Sequence, residues 1–297
     1  MFGGCNFMKI YLDHNVYINC QKCRRLRDFV STRCDSECIQ VLYSPAHIEE
    51  VYRVDALPNS PHKAGTAELL KIIDEITHST EILPSDKGLV IMHEKTSTVY
   101  RRVKTLDTTA IVEQDSKARF QTDSEHYTKM REEDRRNQFI SNIAPAEIWD
   151  YLAVKDRVDN FNEHSIEIVR AQNHSLRMLA SMLISGTDRR LPEDLYLKKG
   201  IYNTRLKHSH KELEYTIEIL MGILNLCGYH AEKKEENALS SIHDTTHCIY
   251  ATAADYFISM DKRFSRKCEA VYSFLGVDTQ VQFCDNIAAL ESAIRNL

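Results

Sequence analysis

Asp244 and Asp261 are the acidic residues whose spacing most directly brings charge together. The segment 244–254 predicts a helix of about three turns, rising roughly 16 Å at 1.5 Å per residue, with Ala and Thr giving a slim packing face. Residues 256–260 predict a buried strand that climbs back about as far at ~3.3 Å per residue, so Asp261 returns to the level of Asp244. Asp255 sits at the far end of that helix and cannot share a small ion with Asp244. A further acid, Asp13, falls where a short apolar strand over 10–12 ends. Glu49 and Glu50 follow a second strand over 39–43, with Ser44 as N-cap and Pro45 in the first turn of the helix that carries them. In open α/β sheets the functional crevice lies outside the carboxyl ends of the strands, where these positions would meet. Carboxylates gathered there repel one another, and some pKa values rise unless a divalent cation neutralises the charge. Oxygen-only ligands favour Mg²⁺ or Mn²⁺ over Zn²⁺, and such ions polarise a phosphate and generate hydroxide near neutral pH.

Asp13 with Asn15 after the first strand, the Ser44-to-Glu50 stretch, Asp244 opening a helix, and Ser259-Met260-Asp261 after a strand together resemble the PIN domain nucleases. The resemblance covers residues 8–54 and 236–297. It implies a PIN-like three-layer α/β fold with a parallel sheet of four to five strands, and a metal-dependent endoribonuclease that cleaves single-stranded or structured RNA. By the same resemblance Asp13, Glu50, Asp244 and Asp261 are the catalytic residues and hold Mg²⁺ or Mn²⁺, with Asn15 and Ser259 in support. Glu50 is preferred to Glu49 because the family's glutamate directly precedes an apolar residue, here Val51. Family members have a compact helical link between the glutamate and the third acid. In this chain a long, mostly helical insertion over 55–235 stands there instead. A toxin or anti-phage defence role is implied by family analogy alone.

Each acid also has an ordinary structural reading. Asp13 could start a turn or cap a helix, Asp261 could cap the helix that begins at Lys262, and Asp244 follows Ser241 at capping spacing. Glu50 could simply face water. Convergence of all four on one side of one sheet is what separates the readings. A catalytically degenerate protein that binds nucleic acid or a protein partner is the non-enzymatic alternative.

Other constellations stand beside this one. Cys20, Cys23, Cys34 and Cys38 could complete a zinc tetrahedron, but the first two fall within a predicted helix and lack flanking turn glycines. Arg205 and His210 have the spacing seen in HEPN ribonucleases, which need no metal, yet Leu206 stands where that family carries a polar residue. A solvated basic face is the plainer reading of that segment. His243 and His247 flank Asp244 and stay outside the ligand set. Lys262, Arg263, Arg266 and Lys267, just beyond Asp261, are candidates for steering an RNA backbone toward the acids.

Length and composition bound these ideas. A chain of 297 residues with 43% hydrophobic side chains can bury a real core, in one large domain or two. Its nine cysteines, an odd number without an export pattern, argue for reduced thiols and a cytoplasmic protein. No apolar run reaches membrane-spanning length. The formal charge of −5 excludes a generally basic nucleic-acid coat. An RNA substrate is the expected partner, and the insertion is the expected seat of any protein inhibitor or regulator. Along the chain, 1–7 read as a loose leader, 15–33 as one helix with a basic face, and 57–62 as a turn-rich exit from the core. Helical spacing covers 68–76, short strands 81–83 and 89–92, helices 109–185 and 193–226, a charged link 232–236, and a last strand and helix over 281–283 and 286–297. Within 193–226, Leu213, Ile217, Leu220, Met221 and Leu224 mark one buried stripe.

Overall fold

A computed structural model describes residues 7–36, 38–56, 65–106, 140–153, 200–226, 228–230 and 238–297. Its centre is β1, Met8–Leu12, a short apolar run with both edges occupied. It pairs in parallel with β2, Ile39–Leu42, on one side and with β5, Tyr256–Ser259, on the other. The outer strand β6, Gln280–Phe283, pairs in parallel with β5, giving the order β2-β1-β5-β6. Parallel neighbours need crossovers, and helices supply them. Helices α1, His14–Lys22, and α2, Arg24–Ser36, join β1 to β2, while α10, Lys262–Leu275, joins β5 to β6.

Side chains alternate across the sheet, so β1, β2 and β5 each feed two cores. Tyr11, Leu42 and Phe257 enter one core, together with α8 (His210–Leu226), α9 (Ala238–Ala251) and α10. Ile10, Leu12, Val41 and Ile258 enter the other, with α1, α2, α4 (Thr66–Thr77), α5 (Thr96–Leu106) and the closing helix α11 (Ile287–Arg295). Burial on both faces is the mark of an α/β sheet and is compatible with three layers. Asp255, which lies between α9 and β5, accepts a hydrogen bond at Oδ2 from the backbone N–H of Lys9 at 2.7 Å and so ties the start of β1 to β5.

Helix α3, Pro45–Ala56, follows β2 after Ser44, with Pro45 in its first turn. Past α4, β3 (Thr80–Ser85) and β4 (Gly88–His93) form an antiparallel hairpin. The hairpin extends the β2 side of the sheet: Tyr43 bridges Glu81 in parallel, with Tyr43 N donating to Thr80 O at 3.0 Å and Ile82 N to Tyr43 O at 2.7 Å. Between α5 and α8 the described residues include a 3-10 turn at Ile140–Asn142, the short helices α6 (Ile148–Ala153) and α7 (Ile201–Thr204), and a further 3-10 turn at Leu206–His208. Trp149 on α6 donates its indole N–H to Ala270 O at 2.8 Å and packs on Phe274, fastening α6 to α10.

Several element expectations change. The single helix over 15–33 is two helices, because the chain extends at Cys23 (φ −128, ψ 97) and turns Leu26 and Val30 into the core that already holds Val16 and Tyr17. The helix expected over 193–226 is interrupted at Arg205 and Ser209; its portion 193–199 lies outside the described residues. The stripe Leu213, Ile217, Leu220, Met221 and Leu224 is buried as its spacing predicts. Asp244 does not open its helix. Helix α9 begins at Ala238, ahead of the Ser241 that the sequence offered as a cap, so Asp244 falls in its second turn. The readings for 1–6, 57–62, 232–236, 109–139 and 154–185 fall on residues outside those described. Among the described residues no helix is long and apolar enough to cross a membrane.

Candidate acidic site

Register sets the first part of the site. Leu12 pairs with Ile258, so the next residues, Asp13 and Ser259, stand side by side where β1 and β5 end, and Asp13 N donates to Ile258 O at 2.9 Å. The Ser259 hydroxyl donates to Asp13 Oδ2 at 2.8 Å and accepts from Asp261 N at 3.0 Å, bridging the two acids. Asn15 Nδ2 lies 3.4 Å from the same Asp13 oxygen, a longer contact. Asp13 holds the N-cap position of α1 but makes no side-chain cap hydrogen bond, while Asp261 caps α10, with Oδ1 accepting from the N–H groups of Arg263 (2.8 Å) and Phe264 (3.0 Å). The ordinary capping role of Asp261 is therefore real, and its one engaged oxygen serves it. Asp13 is 4% exposed, and burial raises its pKa; His247 pulls it down and the Glu50 charge pushes it up.

Asp244 and Glu50 complete the acidic group from two helices. Burial pushes the Asp244 carboxyl up to about 8; Lys267 draws it down, while Asp13, Asp261 and Glu50 each add to the rise. The other three predicted acids therefore all lie within electrostatic reach of Asp244. Glu50 behaves in the opposite way. Burial alone would raise it, but His14, His247 and His243 outweigh that and hold it far below the usual carboxylate range. The closest partner is His247, whose Nε2 is 2.7 Å from Glu50 Oε1.

His247 is 1% exposed, and although burial disfavours its charge, Glu50, Asp13 and Asp244 raise its pKa on balance. Its Nδ1 lies 2.7 Å from the Tyr11 hydroxyl, which is also 2.6 Å from Ser44 Oγ. His47 closes the group from beneath. Its Nε2 is 2.8 Å from Leu12 O and its Nδ1 accepts from Ser44 N at 3.1 Å, which fixes a neutral ring with its proton on Nε2. The Ser44 side chain thus serves Tyr11 from the position directly before α3.

The basic residues on α10 divide. Lys262 is exposed, Arg263 is half-buried, and Arg266 Nη1 bonds Glu269 Oε2 at 2.8 Å. Lys267 is fully buried, acts on Asp244, and donates to Asn225 Oδ1 at 3.3 Å, so it does not join an outward-facing RNA track. Its position one turn past an N-cap on an amphipathic helix turns it inward. The four still shape the local potential. His230 is pushed down to about 4 by burial and then by Arg266, Lys262, Lys267 and Arg263. Arg205 is engaged twice by Glu212, at 2.7 and 3.0 Å, and His210 lies against Tyr250 with Glu214 at 3.9 Å.

Among the described residues, no group of three or more His, Cys, Asp or Glu side chains is arranged to hold a metal ion. The donor chemistry still suits Mg²⁺ or Mn²⁺. Mg²⁺ is commonly held by one or two carboxylates plus waters and phosphate oxygens, and Asp13, Asp261 and Asp244 offer oxygen while Glu50 is partly committed to His247. The residues that sequence reasoning left out of the site are His247 and Tyr11, while Lys267, expected to steer RNA, instead points inward at Asp244. A usable signal existed for the first, because His243 and His247 are four apart and share the helical face next to Asp244. Compared with known proteins, the chain matches no family model, no curated protein and no solved structure.

Proposed function

We propose that this protein is a PIN-like metal-dependent nuclease acting on RNA. The observation that carries the reading is the raised Asp244 carboxyl, which responds to Asp13, Asp261 and Glu50 together at the carboxyl ends of parallel strands. A carboxyl pushed up to about 8 by burial first, and further by its acidic neighbours, carries a charge imbalance that a divalent cation would relieve. A bound Mg²⁺ or Mn²⁺ would polarise a phosphate and lower the pKa of a bound water. The chain's own groups do the positioning. Ser259 fixes Asp13 and Asp261 to one another. His247, oriented by Tyr11, holds Glu50 ionised.

A second reading has an observation of its own. Lys267 and His247 are internal cations already facing Asp244 and Glu50, so the cluster is partly neutralised without a metal, as a non-catalytic binding protein would require. Cleavage of single-stranded RNA with Mn²⁺ separates the two. Wild type is expected to cut, to lose activity in EDTA, and to fall by about 100-fold or more in Asp13→Asn and Asp244→Asn. Equal cutting by these variants removes the assigned site, and absence of cutting by the wild type favours the binding reading. Activity that survives EDTA but disappears in His210→Ala transfers the chemistry to the Arg205 and His210 segment.

A further inference from the structure

The Glu50 to His247 contact staples α3 to α9 at 2.7 Å. Arg53 lies three residues beyond Glu50 on α3, and His243 four residues before His247 on α9, so each shares the helical face of one end of the staple. His14, the first residue of α1, is 7% exposed and follows Asp13 directly. Arg53 Nη1, His14 Nδ1 and His243 Nδ1 are all buried and have no hydrogen-bond partner among the described residues. Arg53 lies within electrostatic reach of both histidines: beside burial, His14 responds to Glu50, His247, Asp13 and Arg53, and His243 to Glu50, Arg53, His247 and His14.

A buried polar nitrogen without a partner is costly, and three on one patch call for a group that completes them; the Arg53 guanidinium donates, and each imidazole donates in the tautomer that carries its proton on Nδ1. Guanidinium is always charged and only donates, so the missing group cannot be a metal ion. It must bring acceptor oxygens and negative charge. Glu50 faces the same space, but its charge is matched by His247, leaving Arg53 as the net charge of the patch. We propose that Arg53, His14 and His243 form an oxyanion pocket that holds a phosphate of a nucleic-acid backbone beside the acidic cluster. This rests on the nuclease reading for the source of the phosphate, and on the three nitrogens alone for the pocket.

The test uses inorganic phosphate as the probe, with the full-length chain in EDTA at neutral pH and calorimetry as the readout. Wild type binds; Arg53→Gln binds at least tenfold more weakly, and His243→Gln and His14→Gln each several-fold more weakly. Asp244→Asn binds at least as well as wild type. A short single-stranded RNA displaces the phosphate. Each variant's thermal unfolding is compared with wild type, and the two histidine variants carry the test if Arg53→Gln does not fold. Failure of wild type to bind phosphate, or equal binding by all three folded variants, overturns the pocket. Phosphate binding that RNA does not displace overturns its assignment to a nucleic-acid backbone. An Arg53-dependent pocket in a protein that never cleaves RNA sinks the nuclease reading and leaves the pocket standing.

Discussion

Asp244 holds a proton at neutral pH that an isolated aspartate would release. With its carboxyl pushed up to about 8, the folded protein keeps that proton while the unfolded chain loses it near the ordinary value of 3.8. Stability without metal therefore falls as pH rises between those two values. A carboxylate must be deprotonated to bind a cation, so metal binding should expel the proton. Titrating Mn²⁺ at pH 7 in buffers of different ionisation enthalpy should show release of about one proton per site from wild type and none from Asp244→Asn. Proton-neutral binding by the wild type would remove Asp244 from the metal. At this scale Asp13 and Asp261 were readable because each follows a short apolar strand, a pattern that a linear sequence displays, whereas Glu50 and Asp244 lie inside helices and their roles were reached only through the family resemblance. His247 was not readable, because its role depends on Glu50, 197 residues away, and on a Tyr11 hydroxyl that a strand pattern reports only as bulk.

The strands and the stripe on α8 were readable from local pattern: β1, β2 and β5 are short, mostly apolar runs, and β6 alternates Gln with Val and Phe. The break at Cys23 was not, since nothing local forbids a helix there and the turn is imposed by what Leu26 and Val30 pack against. The hairpin shows what attachment to the sheet demands. Where β3 meets the β2 side, Glu81 has a fully buried side chain, bonded by Arg102 Nη2 at 2.8 Å, while Arg102 Nη1 reaches Glu94 at 2.7 Å. Burial pushes Glu81 up to about 8 against the pull of Arg102, and Glu94 adds to the rise. Its folded pKa lies above the unfolded value of 4.5, so it too costs stability as pH climbs from that value toward 8. Urea midpoints measured at pH 5 and at pH 8.5 should differ less in Glu81→Gln than in wild type, with Asp244 supplying the slope that remains. An unchanged difference would mean that Arg102 keeps Glu81 ionised throughout.

Across the whole molecule, segments far apart in the chain share one core. Gly88 opens β4 at φ +103, and a Cβ there would stand 2.1 Å from the backbone oxygen of Lys207, so the hairpin lies directly on the turn that precedes α8. Gly88→Ala combines a left-handed backbone with a backbone clash and should destabilise by at least about 2 kcal/mol. If hairpin and α8 belong to one cooperative unit, thermal unfolding moves as a single transition to lower temperature. A second, earlier transition would show the hairpin unfolding by itself.

The central position of β1 also sets an order of events during synthesis. Its partner β2 leaves the ribosome soon after it, but β5 comes more than half a chain later. A nascent chain therefore carries Asp13 and Glu50 while one flank of β1 stays open and Asp244 and Asp261 have yet to be made. Whatever the complete acidic group does is withheld until β5 and the start of α10 have been made, a built-in delay between making the first acids and switching them on.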